Sequence, residues 1–174
     1  MTKKIKNFWL IIVSALTFVL SLAVFVFFLT TNTGAVEEAK ASSYNTDQII
    51  IAVNKERKKE NLPELKINQK LMNASQKKAD HMSEYSYFSH IHKESGKKWS
   101  DFIKESGYSY SVAGENLANG FYDINGMVQA WMKSPSHKEN ILNSEVRETG
   151  VGVSYGTLDG NPTIFVVQEF GKQL

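Results

Sequence analysis

The chain has 174 residues, of which 42% are apolar and 22% charged, the composition of an ordinary globular protein. Three of its 20 basic residues precede the first apolar run, so the remainder carries 17 basic against 18 acidic residues. This balance argues against a nucleic-acid partner, which would require a basic face on the folded part. The absence of cysteine excludes disulfides, a thiol nucleophile, thiolate metal sites and a cysteine-linked lipid anchor.

An uncharged apolar run of 22 residues, 8–29, follows a short basic start at residues 1–7. As a helix it would be about 33 Å long, enough to cross a bilayer core of roughly 30 Å. We therefore predict one transmembrane signal-anchor that contacts the lipid bilayer. The lysines before the run, and the lack of basic residues just after it, predict a cytoplasmic N-terminus.

Residues 30–44 are small and polar and have no periodicity, so they are predicted to be a linker to a domain at 45–174. That domain would lie outside the cytoplasm. The small residues at 33–35 and 39–41 resemble cleavage sites, and the alternative is therefore a secreted protein whose N-terminal segment is removed.

The first part of the domain has apolar residues at helical spacing. Suitable capping residues precede several of these segments. The predicted helices begin at Thr46–Asp47, after Asn68, at Trp99, after Asp123 and, for one or two turns, at His137.

The end of the chain changes to the composition of strands. Residues 149–155 and 163–170 are rich in Val, Ile, Phe and Tyr, and the turn residues 159–162 separate them, which predicts an antiparallel hairpin. A further extended segment is predicted at 112–118. Helices followed by strands indicate an α+β fold with helices packed on a small, mainly antiparallel sheet.

One acidic residue, Glu115, lies between glycines, and the chain places His90 before it and His137 after it. We predict that the fold brings these three side chains into one polar cleft. Two imidazoles and a carboxylate are groups that suit zinc or a similar divalent metal. A hydrogen-bonded cluster that fastens three segments together, or a cleft for an organic ligand without metal, remains open on the same residues.

Two other histidines and one sequence motif are predicted to take no part in this cleft. His81 should pack on the second helix, and His92 should be solvated in the loop 91–98. Residues 152–156 match the G-x-S-x-G motif of serine hydrolases, but a turn and a strand follow where that motif requires a helix, so the match is taken as chance.

Five motifs, in this order, resemble the CAP superfamily of cysteine-rich secretory, antigen 5 and pathogenesis-related 1 proteins, whose domain is also called SCP. The likeness covers about residues 45–172 and is greatest to the short, cysteine-free bacterial branch. The motifs are Phe88-Ser89-His90, Gly114-Glu115-Asn116-Leu117, Trp131-Met132-Lys133-Ser134-Pro135-Ser136-His137-Lys138-Glu139-Asn140-Ile141-Leu142, Thr149-Gly150-Val151-Gly152-Val153 and Gln168-Glu169-Phe170-Gly171.

The resemblance implies a three-layer α-β-α sandwich with a cleft that holds a divalent metal in some members. By position, the two family histidines fall on His90 and His137 and the acidic residue falls on Glu115. Many eukaryotic members carry a second acidic residue, and the nearest position here is Ser134. The predicted cleft therefore comprises His90, Glu115, Asn116, Ser134 and His137, with His90 and His137 as metal ligands.

We expect a membrane-anchored, extracytoplasmic CAP domain of a bacterial cell envelope that binds a metal, lipid, glycan or peptide. The alternative is a metal-dependent hydrolase, a protease, in which a metal on His90 and His137 activates water and Glu115 is the general base. The missing second acidic residue favours the binding module. A domain whose surface serves only protein contacts is the third possibility.

Overall fold

The computed structural model describes residues 44–174. The predicted basic start, the transmembrane segment 8–29 and the linker up to residue 43 lie outside the described residues. No helix between residues 44 and 174 is long and apolar enough to cross a membrane. Tyr44, predicted as the end of the linker, is 7% exposed and packs in the main core of the compact unit Tyr44–Leu174.

Five helices and four strands form in this unit, and all five predicted helices are present. The helices are α1 Thr46–Lys59, α2 Gln69–Glu84, α3 Trp99–Glu105, α4 Ile124–Lys133 and α5 Pro135–Leu142. The strands are β1 Lys66–Ile67, β2 Tyr110–Asn119, β3 Glu148–Leu158 and β4 Asn161–Gln173. Helix α5 starts two residues before the predicted position because Pro135 is favourable in a first helical turn.

The helix caps explain where three of the helices begin. Asn68 caps α2 by accepting a 2.9 Å hydrogen bond from the Lys70 amide, and Asp123 caps α4 through the Gly126 amide at 2.6 Å. Both helix starts were predicted. At α1 the cap is Asn45, rather than Thr46 or Asp47, because its side chain accepts from the Asp47 amide at 2.8 Å.

The sheet has the order β1-β3-β4-β2, with β1 parallel to β3 and the other pairs antiparallel. The predicted hairpin joins β3 to β4 through Asp159 and Gly160 alone, both with positive φ (51° and 77°). A two-residue turn of this kind matches the twist of the strands. Pro162, predicted to belong to the turn, lies in β4 opposite Thr157, beyond the end of the pairing with β2.

The sheet separates two layers of helices, as the α-β-α sandwich requires. On one face, Ile164 and Val166 of β4 pack in a core with residues of α1, α4 and α5. On the other face, the intervening Phe165 and Val167 pack with side chains of α2. The alternation follows from the strand geometry, in which successive side chains point to opposite faces.

Helix α2 also completes the outer edge of β3. A Cβ atom at Gly150 or Gly152 would overlap the α2 backbone, so only glycine permits this close approach. The Ser75 hydroxyl donates to the Gly150 carbonyl at 3.0 Å, and the Gln76 amide group bonds both backbone polar groups of Val153, at 2.8 and 3.1 Å. Gly152, the first glycine of the G-x-S-x-G match, therefore serves helix–sheet packing.

Candidate functional site

Strand β2 is an edge strand of the sheet and carries Glu115 and Asn116 next to each other. Successive side chains of a strand point to opposite faces. Glu115 accordingly points to the face of α2, as Leu117 does, whereas Asn116 points to the face of α5, where its Nδ2 donates to the His137 carbonyl at 3.1 Å. The two halves of the predicted cleft thus meet along one sheet edge.

His90 and Glu115 are in direct contact. Nδ1 of His90 lies 2.5 Å from Oε1 of Glu115, and the side chains are 52% and 1% exposed, respectively. Because an ionised carboxylate can only accept, the shared proton belongs to Nδ1 and the other ring nitrogen, Nε2, remains available in the cleft. Burial raises the pKa of Glu115, while the hydrogen bond from His90 and the charge of Lys78 oppose that rise.

His137 is held by a neutral partner instead. Its Nδ1 lies 2.9 Å from the hydroxyl oxygen of Ser134, the residue that precedes α5. Burial lowers the pKa of His137, and the charge of His90 lowers it further. His137 is therefore biased towards the neutral form. The residue at the position of the family's second acid therefore orients the second histidine.

Asn140 links the two halves of the site. Its Nδ2 donates to the Glu115 carbonyl oxygen at 3.0 Å and to Oδ1 of Asn116 at 2.9 Å. The sequence prediction omitted this residue from the cleft, although it lies three positions after His137 and thus on a neighbouring part of the same helical face. With Asn140 included, every predicted cleft residue belongs to one hydrogen-bonded group.

Two buried ionisable residues behind His90 were also missed as part of the site. Lys78 of α2 is 0% exposed and donates to the Ser89 carbonyl at 2.7 Å and to the Tyr87 hydroxyl at 3.0 Å. Glu169 of β4 is 0% exposed and lies opposite Glu115 in the strand pairing. The one signal in the sequence was the presence of an acidic residue, Glu169, two residues after the end of the apolar run 164–167 of the predicted strand.

The remaining histidines lie in an aromatic cluster. His81 packs as predicted, with its ring centroid 5.3 Å from that of Phe102. His92, predicted to be solvated, is only 6% exposed, and its ring centroid lies 5.0 Å from that of His81. The prediction was wrong because the loop folds back on itself, with the His92 amide bonded to the Lys97 carbonyl at 2.9 Å, and the ring packs with its centroid 4.5 Å from that of Tyr87.

The donor set for the predicted zinc is smaller than expected. Among residues 44–174, no three His, Asp or Glu side chains converge in a group that could hold a metal ion. Glu115 contacts Nδ1 of His90 and so lies behind the imidazole, as do carboxylates that orient metal-binding histidines. The described residues therefore do not supply the three protein ligands that are common in zinc enzymes, and any zinc site here would depend on His90 and His137 alone.

These features define an α-β-α sandwich in which His90 and His137 belong to one hydrogen-bonded group around the edge strand β2. The model of the CAP family, described as the cysteine-rich secretory protein family, matches residues 50–170. The chain therefore belongs to the CAP family, as its motifs indicated.

The relatives in sequence include two proteins of Bacillus subtilis. The chain is 35% identical over 122 residues to YkwD, covering 70% of this chain and 47% of that protein. It is 32% identical over 114 residues to the membrane protein YlbC, covering 66% of this chain and 33% of that protein. The chain thus spans less than half the length of each.

Solved structures give the same fold. An extracellular protein with an SCP domain from Bacillus anthracis is similar with a TM-score of 0.63 and 27% identity, over 74% of this chain and 40% of that one. An outer surface protein of Borrelia burgdorferi is similar with a TM-score of 0.62 and 30% identity, over 74% of this chain and 92% of that one. The fold therefore occurs in bacterial proteins that are extracellular or at the outer surface.

Proposed function

We propose that this chain is an extracytoplasmic CAP domain, anchored in the membrane by residues 8–29, whose cleft binds a ligand through His90 and His137. Zinc is the first candidate for that ligand. The uncharged run at 8–29 supports the anchor, as do the relatives that are an extracellular protein and a membrane protein. The proposal concerns this domain, which makes up less than half of the Bacillus subtilis relatives.

The contact between His90 and Glu115 is the observation that carries this proposal. A buried carboxylate that accepts from Nδ1 leaves the lone pair on Nε2, in a side chain that is half-exposed. His137 is biased towards the neutral form, which is the form that binds metals. A zinc ion bound there would supply a Lewis acid for an anionic or carbonyl oxygen of a lipid, glycan or peptide of the cell envelope.

A metal-dependent hydrolase remains the second candidate, because a zinc ion held by His90 and His137 could activate a bound water. The Glu115 side chain is 1% exposed. In a hydrolase with zinc on Nε2 of His90, it would therefore orient that ligand, and it is too buried to take a proton from water directly. The absence of a second acidic residue at the position of Ser134 favours binding over turnover.

Calorimetric titration of the full-length protein with zinc tests the binding proposal. We expect one equivalent to bind to the wild type, and either His90→Ala or His137→Ala to weaken that binding at least about 10-fold. Lys138→Ala, an exposed change next to His137, is the control and should leave the affinity unchanged. A zinc affinity that is unchanged in both histidine variants would contradict the proposed site.

Peptide and ester substrates separate the two candidate functions. Zinc-dependent turnover by the wild type that is lost in Glu115→Gln would support the hydrolase. Saturable zinc binding without turnover of any of these substrates would support the binding module.

A further inference from the structure

Two carboxyl groups face each other inside the domain, behind His90. Glu115 of β2 and Glu169 of β4 are direct partners in the antiparallel pairing, and their side chains share the face that α2 covers. Glu115 is 5% exposed and Glu169 0%. Ionised carboxylates side by side in a dry interior would repel each other strongly, so this arrangement needs a compensating proton or cation.

The unpaired oxygens of the two carboxyl groups indicate a proton shared between them. None of the described N–H groups or hydroxyls donates to Oε2 of Glu115 or to either carboxyl oxygen of Glu169. Buried polar oxygens are costly when they are left unpaired. The two carboxyl groups are within hydrogen-bonding reach of each other, and one O–H between them satisfies an oxygen on each.

The neighbouring cation accounts for one negative charge. Lys78 is fully buried, and its charge acts on both carboxyl groups. Its ammonium group is bonded to the Ser89 carbonyl and the Tyr87 hydroxyl, which also fixes the segment that carries His90. One ammonium group balances one carboxylate, which leaves the other carboxyl group neutral.

Glu115 is the member of the pair that stays ionised, because its other oxygen already bonds to the His90 ring at 2.5 Å. Glu169 has no such partner and lies deeper in the domain. We propose that Glu169 is a positioning residue of the cleft: as a neutral acid it donates a hydrogen bond to Oε2 of Glu115 and keeps the Oε1 atom of that carboxylate directed at Nδ1 of His90.

The consequence concerns the orientation of His90. With Oε2 held by Glu169, the Glu115 carboxylate cannot rotate away, so His90 keeps its proton on Nδ1 and offers Nε2 to the cleft. The inference rests on the proposed function only in that Nε2 of His90 is taken to be the atom that binds the ligand. The state of the two carboxyl groups and of the ring can be measured without any ligand.

Nuclear magnetic resonance of the metal-free, full-length protein tests the proposal. With glutamate labelled at the carboxyl carbon, we expect one buried glutamate to have the shift of a protonated acid at neutral pH, and this signal to disappear in Glu169→Gln. With nitrogen-labelled histidine, the Nδ1–H form of His90 should persist in Glu169→Gln, because the amide also donates to Glu115. It should give way to mixed tautomers in Glu169→Met, which has a similar length but no donor.

The control is Glu139→Gln, an exposed change on α5 that should move neither signal. The proposal is overturned if every glutamate carbon of the wild type has the shift of an ionised carboxylate at neutral pH. It is also overturned if Gln and Met at position 169 change the His90 signals equally. Should Glu169→Met not fold, the carboxyl-carbon spectrum of the wild type alone tests the proposal. A failure to bind zinc would change none of these measurements, because all of them are made on the metal-free protein.

Discussion

Nδ1 of His90 lies 2.5 Å from Oε1 of Glu115, although 25 residues separate the two in the chain. The contact joins a half-exposed imidazole to a buried carboxylate on an edge strand. Lys78 helps to form it, because its bond to the Ser89 carbonyl holds the residue just before His90. Both contacts therefore help to hold His90 in place in the described structure.

The first prediction removes the charge of that carboxylate. Glu115→Gln should weaken zinc binding about 10- to 100-fold, because partners that orient a metal-binding histidine typically contribute this much. Calorimetric titration measures the change. Glu139→Gln removes an exposed acid and should have no effect. Equal zinc affinities of wild type and Glu115→Gln would mean that Glu115 does not orient a zinc ligand.

The second prediction concerns the packing of α2 on β3. Gly152→Ala should lower the free energy of unfolding by about 3 kcal/mol or more, because the added Cβ would meet the backbone at Ser75 and Gln76. The matched change is Gly160→Ala, in the hairpin turn, where the Cβ has open space and only the positive φ of 77° is unfavourable. That control should cost about 1–2 kcal/mol. Urea denaturation of both variants shows whether Gly152→Ala loses more stability than Gly160→Ala.

The third prediction concerns Arg57, which is fully buried and bonds the Pro63, Ile141 and Asn143 carbonyl oxygens at 2.7–2.9 Å. Arg57→Lys should cost about 2–4 kcal/mol, because an ammonium group cannot reproduce the planar fork and leaves buried carbonyls unpaired. Thermal or urea unfolding measures this loss. Arg147→Lys, at an exposed arginine, should cost much less, and similar losses in both would refute the assigned role.

The fourth prediction is a pH dependence of stability. Burial, and then the neighbouring Glu115, raise the pKa of Glu169 well above its usual range. The folded state therefore keeps this proton where the unfolded chain, with a pKa of about 4.3, has lost it. The stability that this group contributes is complete below about pH 4 and decreases as the pH rises towards the folded pKa.

Comparison with Glu169→Gln isolates this contribution, because glutamine does not titrate. The free energy of unfolding of the wild type, minus that of the variant, should decrease between about pH 4 and neutral pH. Urea denaturation at several pH values measures the difference. A difference that is constant or increases over that range would show that the Glu169 pKa is not raised.

The sequence predicted the helices and the hairpin because these depend on local signals. Asn68 and Asp123 cap their helices through amides two or three residues away, and Asp159 and Gly160 form the turn on their own. Strand β1 was not predicted, since two residues that pair with a distant strand carry no periodicity of their own. The family motifs supplied the three-layer arrangement.

The candidate site was predictable only in part. His90, Glu115 and His137 belong to recognisable motifs. The burial of Glu169, Lys78 and His92 depends instead on partners elsewhere in the fold, and polar residue types are ordinarily expected at the surface. Local sequence therefore identified His90, Glu115 and His137 and missed the buried groups that pack around them.

The most direct test of the account is a zinc titration of the full-length protein followed by nitrogen-resolved spectra of all four histidines. We predict that the Nε2 signals of His90 and His137 shift together and saturate at one equivalent, while those of His81 and His92 stay unchanged. Saturation at a different histidine pair, or a spectrum in which His90 and His137 respond independently or not at all, would contradict it.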